Sequence, residues 1–221
     1  MSRAFTYSPT QIQALRATLS PERISAYLAR GGGDEAQAIQ LYERNTELSE
    51  ALYSVLQGLE IALRNSIHNV MSAQHGRADW YDHVVLQAVE RGRIADARVM
   101  IQQSGRPVTP GRMVAELTFG FWVALTAKDY ATLLWIPYLH RAFPQKRLGH
   151  GVVHHRLNNI RKLRNRVAHH ECILDRNLEN DYVEIVETIG WICKDTALWV
   201  RETTRFEKAF QAIYGRKIII L

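Results

Sequence analysis

From Asp34 to Gln74 the chain runs for forty-one residues without a proline. Within this stretch Leu48, Leu52, Val55, Leu59 and Ala62 step by four and three, the period of a helix seam. Leu56, Leu63, Ile67 and Val70 add a second apolar face. At ~1.5 Å of rise per residue, an unbroken helix here would span ~60 Å. A break or bend is expected near Arg44-Asn45 or at Gly58.

Strand signals are scarce in the rest of the chain, and helix signals recur. Ser8-Pro9 and Ser20-Pro21-Glu22 each set a capping hydroxyl before a first-turn proline. They predict two short helices ending near Thr18 and at Gly31-Gly32-Gly33, after which Asp34 caps the long element. A helix is expected over His83 to Gln103, closed by Ser104-Gly105-Arg106-Pro107. Thr109-Pro110 opens a shorter helix through Leu117. Phe119-Gly120-Phe121-Trp122 reads as core, with a glycine that lets backbones approach. Short helices punctuated by Pro137 and Pro144 are expected over Asp129 to Phe143. Leu157, Ile160, Leu163 and Val167 have helical spacing, as do Tyr182, Val186, Ile189, Cys193, Thr196 and Val200. Thr203 to Tyr214 predicts a last short helix. The expected class is all-α, an antiparallel helical bundle. Residues 1–33 would form N-terminal short helices and 34–221 a helical domain, packed as one compact unit.

Composition narrows the function classes. At 47% hydrophobic and 23% charged, 221 residues are enough to bury a sizeable core. Two cysteines, Cys172 and Cys193, form no disulfide framework and lack metal-site spacing, which fits a reducing cytosol. Met1 to Thr10 holds no apolar leader, no run approaches the ~20 residues of a membrane span, and the apolar tail Lys217 to Leu221 is too short to anchor anything. A cytoplasmic protein without membrane contact is expected. No Walker loop or Gly-x-Gly-x-x-Gly is present, and no cofactor is implied.

Charge is concentrated in one segment. Residues 130–170 hold no Asp or Glu, but do hold Arg141, Lys146, Arg147, Arg156, Arg161, Lys162, Arg164 and Arg166. The whole chain nets +6, so everything outside this segment is slightly acidic. Such a field attracts polyanions, RNA among them, and Arg156, Arg161, Lys162 and Arg166 are candidate RNA contacts. The competing expectation is that acids elsewhere, such as Glu179, Asp181, Glu184 and Glu187, neutralise the stretch.

Leu163 to Glu171 packs a guanidinium (Arg164), an amide (Asn165), two imidazoles (His169, His170) and a carboxylate (Glu171) into nine residues. Metal-free RNA cleavage needs a base for the 2′-hydroxyl, an acid for the leaving oxygen and a cation for the charge building on phosphorus. Histidine titrates near neutrality and serves as base or acid. Arginine stays charged and forks onto phosphate oxygens. On an uninterrupted helix, however, Arg164 and His169 lie ~140° apart around the axis. Either the helix ends or distorts between Val167 and Glu171, or a second chain reunites the pair. Glu60, Arg64 and Asn65 read either as an i,i+4 surface pair with a neighbour or as a partly buried network beside the site. A metal site built from His154-His155, His169-His170 and Glu171 is disfavoured, because neighbouring histidines point apart on a helix. Trp191 and Trp199 read as core or dimer contacts before base-stacking platforms.

Three segments, Leu59-Glu60-Ile61-Ala62-Leu63-Arg64-Asn65, Leu117-Thr118-Phe119-Gly120-Phe121-Trp122 and Leu163 to Glu171, appear in that order. Together they resemble the Abi-like group, named from bacterial abortive infection, within the HEPN superfamily. The last segment resembles its Arg-x(4–6)-His motif. The resemblance implies an all-α bundle of HEPN type, a homodimer that brings two such motifs to one cleft, and metal-independent ribonuclease activity of antiphage or toxin type. It implies Arg164 as the phosphate-stabilising cation and His169 as general base or acid. Asn165 would be a positioning group and His170 a fallback. A protein or RNA antitoxin would hold a toxin of this kind silent. Two alternatives remain: a non-catalytic RNA-binding module using the same groove, and a dimeric interaction protein.

Overall fold

The computed structural model describes residues 6–219. The expectations for Met1 to Phe5 and for Ile220-Leu221 lie outside the described residues. Ten α-helices are found among those described: α1 (Pro9–Leu19), α2 (Pro21–Arg30), α3 (Glu35–His75), α4 (Ala88–Gln103), α5 (Pro110–Glu116), α6 (Phe119–Ala124), α7 (His150–Ala168), α8 (Leu178–Ile192), α9 (Lys194–Thr203) and α10 (Phe206–Tyr214). No strand occurs among the described residues, so the class is all-α. No helix among them is long and apolar enough to cross a membrane.

The start signals act as their chemistry dictates. The Ser8 hydroxyl accepts from the Gln11 N–H at 3.3 Å, and the Gln11 side chain accepts from the Ser8 N–H at 2.8 Å, a reciprocal capping box. Ser20 Oγ accepts from the Arg23 N–H at 3.3 Å, and Asp34 Oδ1 accepts from the Gln37 N–H at 3.0 Å.

The chain divides into two compact units, and the division falls within long helices. One unit comprises the described residues up to Val55, Leu163–Val183, and the described residues from Thr203 on. Its core gathers Ile24, Tyr27 and Ala38, with Leu19, Leu28, Leu41, Tyr42, Cys172 and Leu174 packed on them. The Tyr27 and Tyr42 rings meet edge-on at 5.3 Å, and Tyr182 stacks on Phe206 at 5.0 Å. The other unit comprises Leu56–Lys162 and Glu184–Glu202. Phe119, Phe121 and Trp122 are buried there as expected, with Phe121 edge-on to Trp122 at 5.1 Å. The indoles of Trp122 and Trp80 and the phenol of Tyr130 are satisfied. Trp122 Nε1 donates to the Leu117 carbonyl at 3.2 Å, Trp80 Nε1 donates to His68 Nδ1 at 3.1 Å, and the Tyr130 hydroxyl donates to Glu90 at 2.7 Å. Burial, helped by the Glu90 carboxylate and opposed by the Gln87 N–H, pushes the Tyr130 phenol up to about 12.

Several local expectations need correction. α3 is continuous over all forty-one residues, with no break at Arg44-Asn45 or Gly58. Asn45 spends its side chain on another segment instead of competing with its own helix. Gly58 serves a close approach: a Cβ there would lie 2.8 Å from Val200 Cγ2. At Gly120 the opposite holds, since the nearest atoms to a Cβ would be at 3.8 Å, ordinary contact. α4 begins at Ala88 rather than His83, because the Gln87 N–H donates to the Tyr130 hydroxyl at 2.9 Å, a partner forty-three residues away. The segment after Asp129 winds as 3-10 and π turns, Lys128–Tyr130, Ala131–Trp135 and Leu139–Ala142, in place of ordinary helices.

Two glycine substitutions should therefore move stability in opposite directions. Gly92 sits in α4 with open space around it, so Gly92→Ala should add about 1 kcal/mol from helix propensity alone. Gly58→Ala has the same propensity gain but must displace Val200. It should lower unfolding free energy by a net ~1–2 kcal/mol in chemical denaturation.

Candidate functional site

The candidate segment forms the last turns of α7 and the loop behind it. Leu163 and Val167 are buried, Arg164, Asn165 and Arg166 are half-buried, and Ala168 through Glu171 are exposed. The His169 N–H still donates to the Asn165 carbonyl at 2.9 Å, so helical bonding runs through residue 169. Closure comes one residue later. The His170 N–H bonds the Val167 carbonyl at 3.1 Å, and the Glu171 N–H bonds the Arg166 carbonyl at 2.8 Å. These are the nested bonds of a Schellman ending, with His170 left-handed at φ 56° where glycine usually sits. A side chain in that conformation costs about 1–2 kcal/mol, and it persists only where the surroundings fix the backbone.

That fixing is done mainly by Asn45. It is 3% exposed and lies in phase with Leu48 and Leu52 on the apolar seam. Its Oδ1 accepts from the Ile173 N–H at 2.7 Å, and its Nδ2 donates to the Glu171 carbonyl at 3.3 Å. Arg23 donates to the His170 carbonyl and Arg30 to the Leu174 carbonyl, the latter at 3.5 Å. Arg166 donates to the Cys172 carbonyl and forks onto Asp175 at 3.0 and 2.7 Å. Burial is the largest single influence and pushes the Asp175 carboxyl up, but the Arg166 hydrogen bonds, a backbone hydrogen bond and the nearby charges of Arg166 and Arg30 together outweigh it and hold the group below its ordinary value. Its contribution to stability is therefore full above the unfolded value of ~3.9 and is lost as pH falls through the depressed one.

The expected helix end between Val167 and Glu171 is found, but it comes too late to swing Arg164 toward His169. With helical geometry kept through residue 169, the two Cα–Cβ directions stay ~140° apart. Asn165 and His169, one turn apart, share a face. His169 is exposed, and among the described residues its ring has no hydrogen-bond partner. A cavity of about 360 Å³ opens beside His170, lined by Tyr42, Asn45, Thr46, Ser49, Tyr53 and Val167 among others. The Ser49 hydroxyl is buried there without a partner.

The remaining sequence candidates have various surroundings. Glu60 and Arg64 are half-buried and Asn65 is exposed, all on α3 in the second unit. Arg156 pairs with Glu187 at 2.9 Å and Glu184 at 3.6 Å, and lies over the Trp191 ring at 5.0 Å. Arg166 is committed to the loop, and Arg161 forks onto Asn158 Oδ1 at 3.1 and 2.9 Å. Lys162 is exposed. The acids thus neutralise part of the basic stretch, while Glu179 and Asp181 pair with Arg216 and Arg176. Trp191 is buried and Trp199 is 62% exposed. Among the described residues no group of three or more His, Cys, Asp or Glu is arranged to hold a metal ion. His154 instead bonds Thr126 at 3.1 Å, and its burial lowers its pKa.

A family model described as Abi-like protein matches residues 18–175, well over half of the chain. The chain belongs to the Abi-like family. No curated protein and no solved structure matches it. All three sequence segments lie within the Abi-like match, as do Asn45, Arg23 and the whole loop as far as Asp175. Asn45 and Arg23 escaped the sequence reading. The available signal was an amide set in phase with the leucines of an apolar seam, where a buried polar group needs partners.

Substitutions should separate the clasp from the turn it holds. Asn45→Ala leaves the buried Ile173 N–H without an acceptor and should lower unfolding free energy by about 2–3 kcal/mol. His170→Gly should be neutral or stabilising by up to ~1 kcal/mol, whereas His170→Val should lose ~1–2 kcal/mol in the same denaturation assay.

Proposed function

We propose that this Abi-like protein is a metal-independent endoribonuclease of the HEPN kind, acting in bacterial antiphage defence or as a growth-arresting toxin in the cytoplasm. The observation that carries this reading is the end of α7: a backbone locked on several sides, finishing in an exposed imidazole five positions after Arg164. Preorganisation of this kind is what acid–base chemistry on a phosphodiester requires.

In the proposed reaction His169 takes the proton of a ribose 2′-hydroxyl, and the 2′-oxygen attacks phosphorus. The bond to the 5′-oxygen breaks, and that oxygen leaves with a proton from a protonated imidazole. The ends are a 2′,3′-cyclic phosphate and a 5′-hydroxyl. Arg164 offsets the charge that gathers on the phosphorane oxygens. Asn165, on the face of His169, is a positioning residue. The phenol rings and the unpartnered Ser49 hydroxyl of the neighbouring cavity suit a nucleobase.

With their Cα–Cβ directions ~140° apart around α7, helical spacing alone does not align Arg164 and His169 of one chain on one phosphate. A homodimer would, with the arginine of one copy serving the histidine of the other. Arg164→Ala and His169→Ala should each reduce RNA cleavage in EDTA by at least 10²-fold while the far-ultraviolet dichroism stays unchanged. Mixing the two variants should restore roughly a quarter of the activity, the share of a random dimer population with one intact composite site would carry. Cleavage that survives either substitution removes this site. Intact binding with no cleavage in the wild type points to the non-catalytic RNA-binding reading.

A further inference from the structure

Within the basic stretch, most of the sequence candidates for RNA contact are already engaged. Arg156 and Arg166 are held in ion pairs, and Arg161 is held by an amide oxygen. The residues between the 3-10 turn Leu139–Ala142 and α7 are different. His140, Arg141, Phe143, Pro144, Lys146, Arg147 and Leu148 line a cleft of about 680 Å³ that contains no carboxylate in its lining.

The backbone of this cleft is fixed on both flanks. The Ser66 hydroxyl donates to the Ala142 carbonyl at 2.7 Å, and the Gln145 N–H donates to the Trp191 carbonyl at 3.1 Å. Phe143 is buried and packs against Trp135 with ring centroids 5.6 Å apart. The cations stand on this fixed loop and are exposed. Arg147 has no ion pair or hydrogen bond with any described residue. Arg141 reaches only a neutral amide oxygen, Gln74 Oε1, at 3.4 Å. Lys146 lies near the Trp191 ring and pairs with Glu187 at 3.2 Å, and Arg156 shares that carboxylate. His140 Nδ1 is tied to the Trp135 carbonyl at 3.1 Å. Among the described residues, two guanidiniums are thus left without a countercharge on a rigid, concave surface. Guanidiniums in that state recognise phosphate oxygens, and a rigid loop loses little entropy in doing so.

We propose that this cleft is a second anion site, at which Arg141 and Arg147 bind phosphates of single-stranded RNA. The inference rests on RNA being the ligand of this protein, and adds to it a binding site built from residues other than those assigned to cleavage. Contacts to phosphates carry no sequence information, so the site raises affinity without choosing a target.

The test measures affinity of the full chain, as His169→Ala to prevent turnover, for a fluorescent 20-nucleotide single-stranded RNA across 50–200 mM salt. Losing two phosphate contacts should flatten the slope of log K against log salt by about 1.4, at ~0.7 per contact on a single strand. Arg141→Ala with Arg147→Ala should show this change and bind about tenfold more weakly at 100 mM salt. The pair Arg141→Lys and Arg147→Lys should keep most of the slope. Lys194→Ala with Arg201→Ala removes the same charge from other exposed positions and should leave the slope within ~0.3 of the starting protein. Single-stranded DNA of equal length should respond like RNA. An unchanged slope, an equal change in both double variants, a response confined to RNA, or no binding at all overturns the cleft. The first two leave the cleavage proposal standing. A flattened slope in a protein that never cuts RNA keeps the cleft and removes the nuclease.

Discussion

One buried amide organises this end of the molecule. Asn45 sits on the apolar seam of α3 and uses both ends of its carboxamide to bind the backbone at Glu171 and Ile173. A polar group that deep is tolerated only when fully satisfied, and so is the loop that satisfies it. The two requirements meet in one arrangement, which fixes the chain just after α7. The left-handed turn at His170, the carbonyl contacts from Arg23 and Arg30, and the fork of Arg166 onto Asp175 all follow from a loop held at that depth. Without the clasp, a histidine in a conformation suited to glycine would have little reason to stay there.

The consequence for function is positional. An imidazole that acts on a phosphodiester must be held within fractions of an ångström, and side chains at fraying helix ends are not. α7 ends sharply because its last carbonyls are consumed by the Schellman bonds, and those bonds are stabilised from outside the helix. The exposure of His169 therefore coexists with a rigid backbone. The same helical continuity sets Arg164 and His169 ~140° apart around the axis, which is why the proposed site is one shared by two copies.

Much of the architecture was legible from local chemistry. The serine–proline starts, the aspartate cap and the four-three leucine spacing each act through contacts a few residues apart, and each appears as read. What escaped depended on distant partners. The start of α4 is set by the Tyr130 hydroxyl, forty-three residues from Gln87. Gly58 looked like a weak point in α3 because its tight contact with Val200 is tertiary. Asn45 looked like a breaker for the same reason. Around the site, the motif Leu163 to Glu171 and the helix end within it were visible in sequence. The distribution of basic charge misled in part, since counting cations does not show which ones meet carboxylates. Among the described residues Arg156 and Arg166 do; Arg141 and Arg147 do not.

The chemistry of the RNA ends tests the central claim most directly. With purified protein, defined RNA and EDTA in excess, the account predicts fragments ending in 2′,3′-cyclic phosphate and beginning with 5′-hydroxyl. Fragments carrying 3′-hydroxyl and 5′-phosphate ends, or cleavage that appears only when a divalent ion is restored, would contradict it.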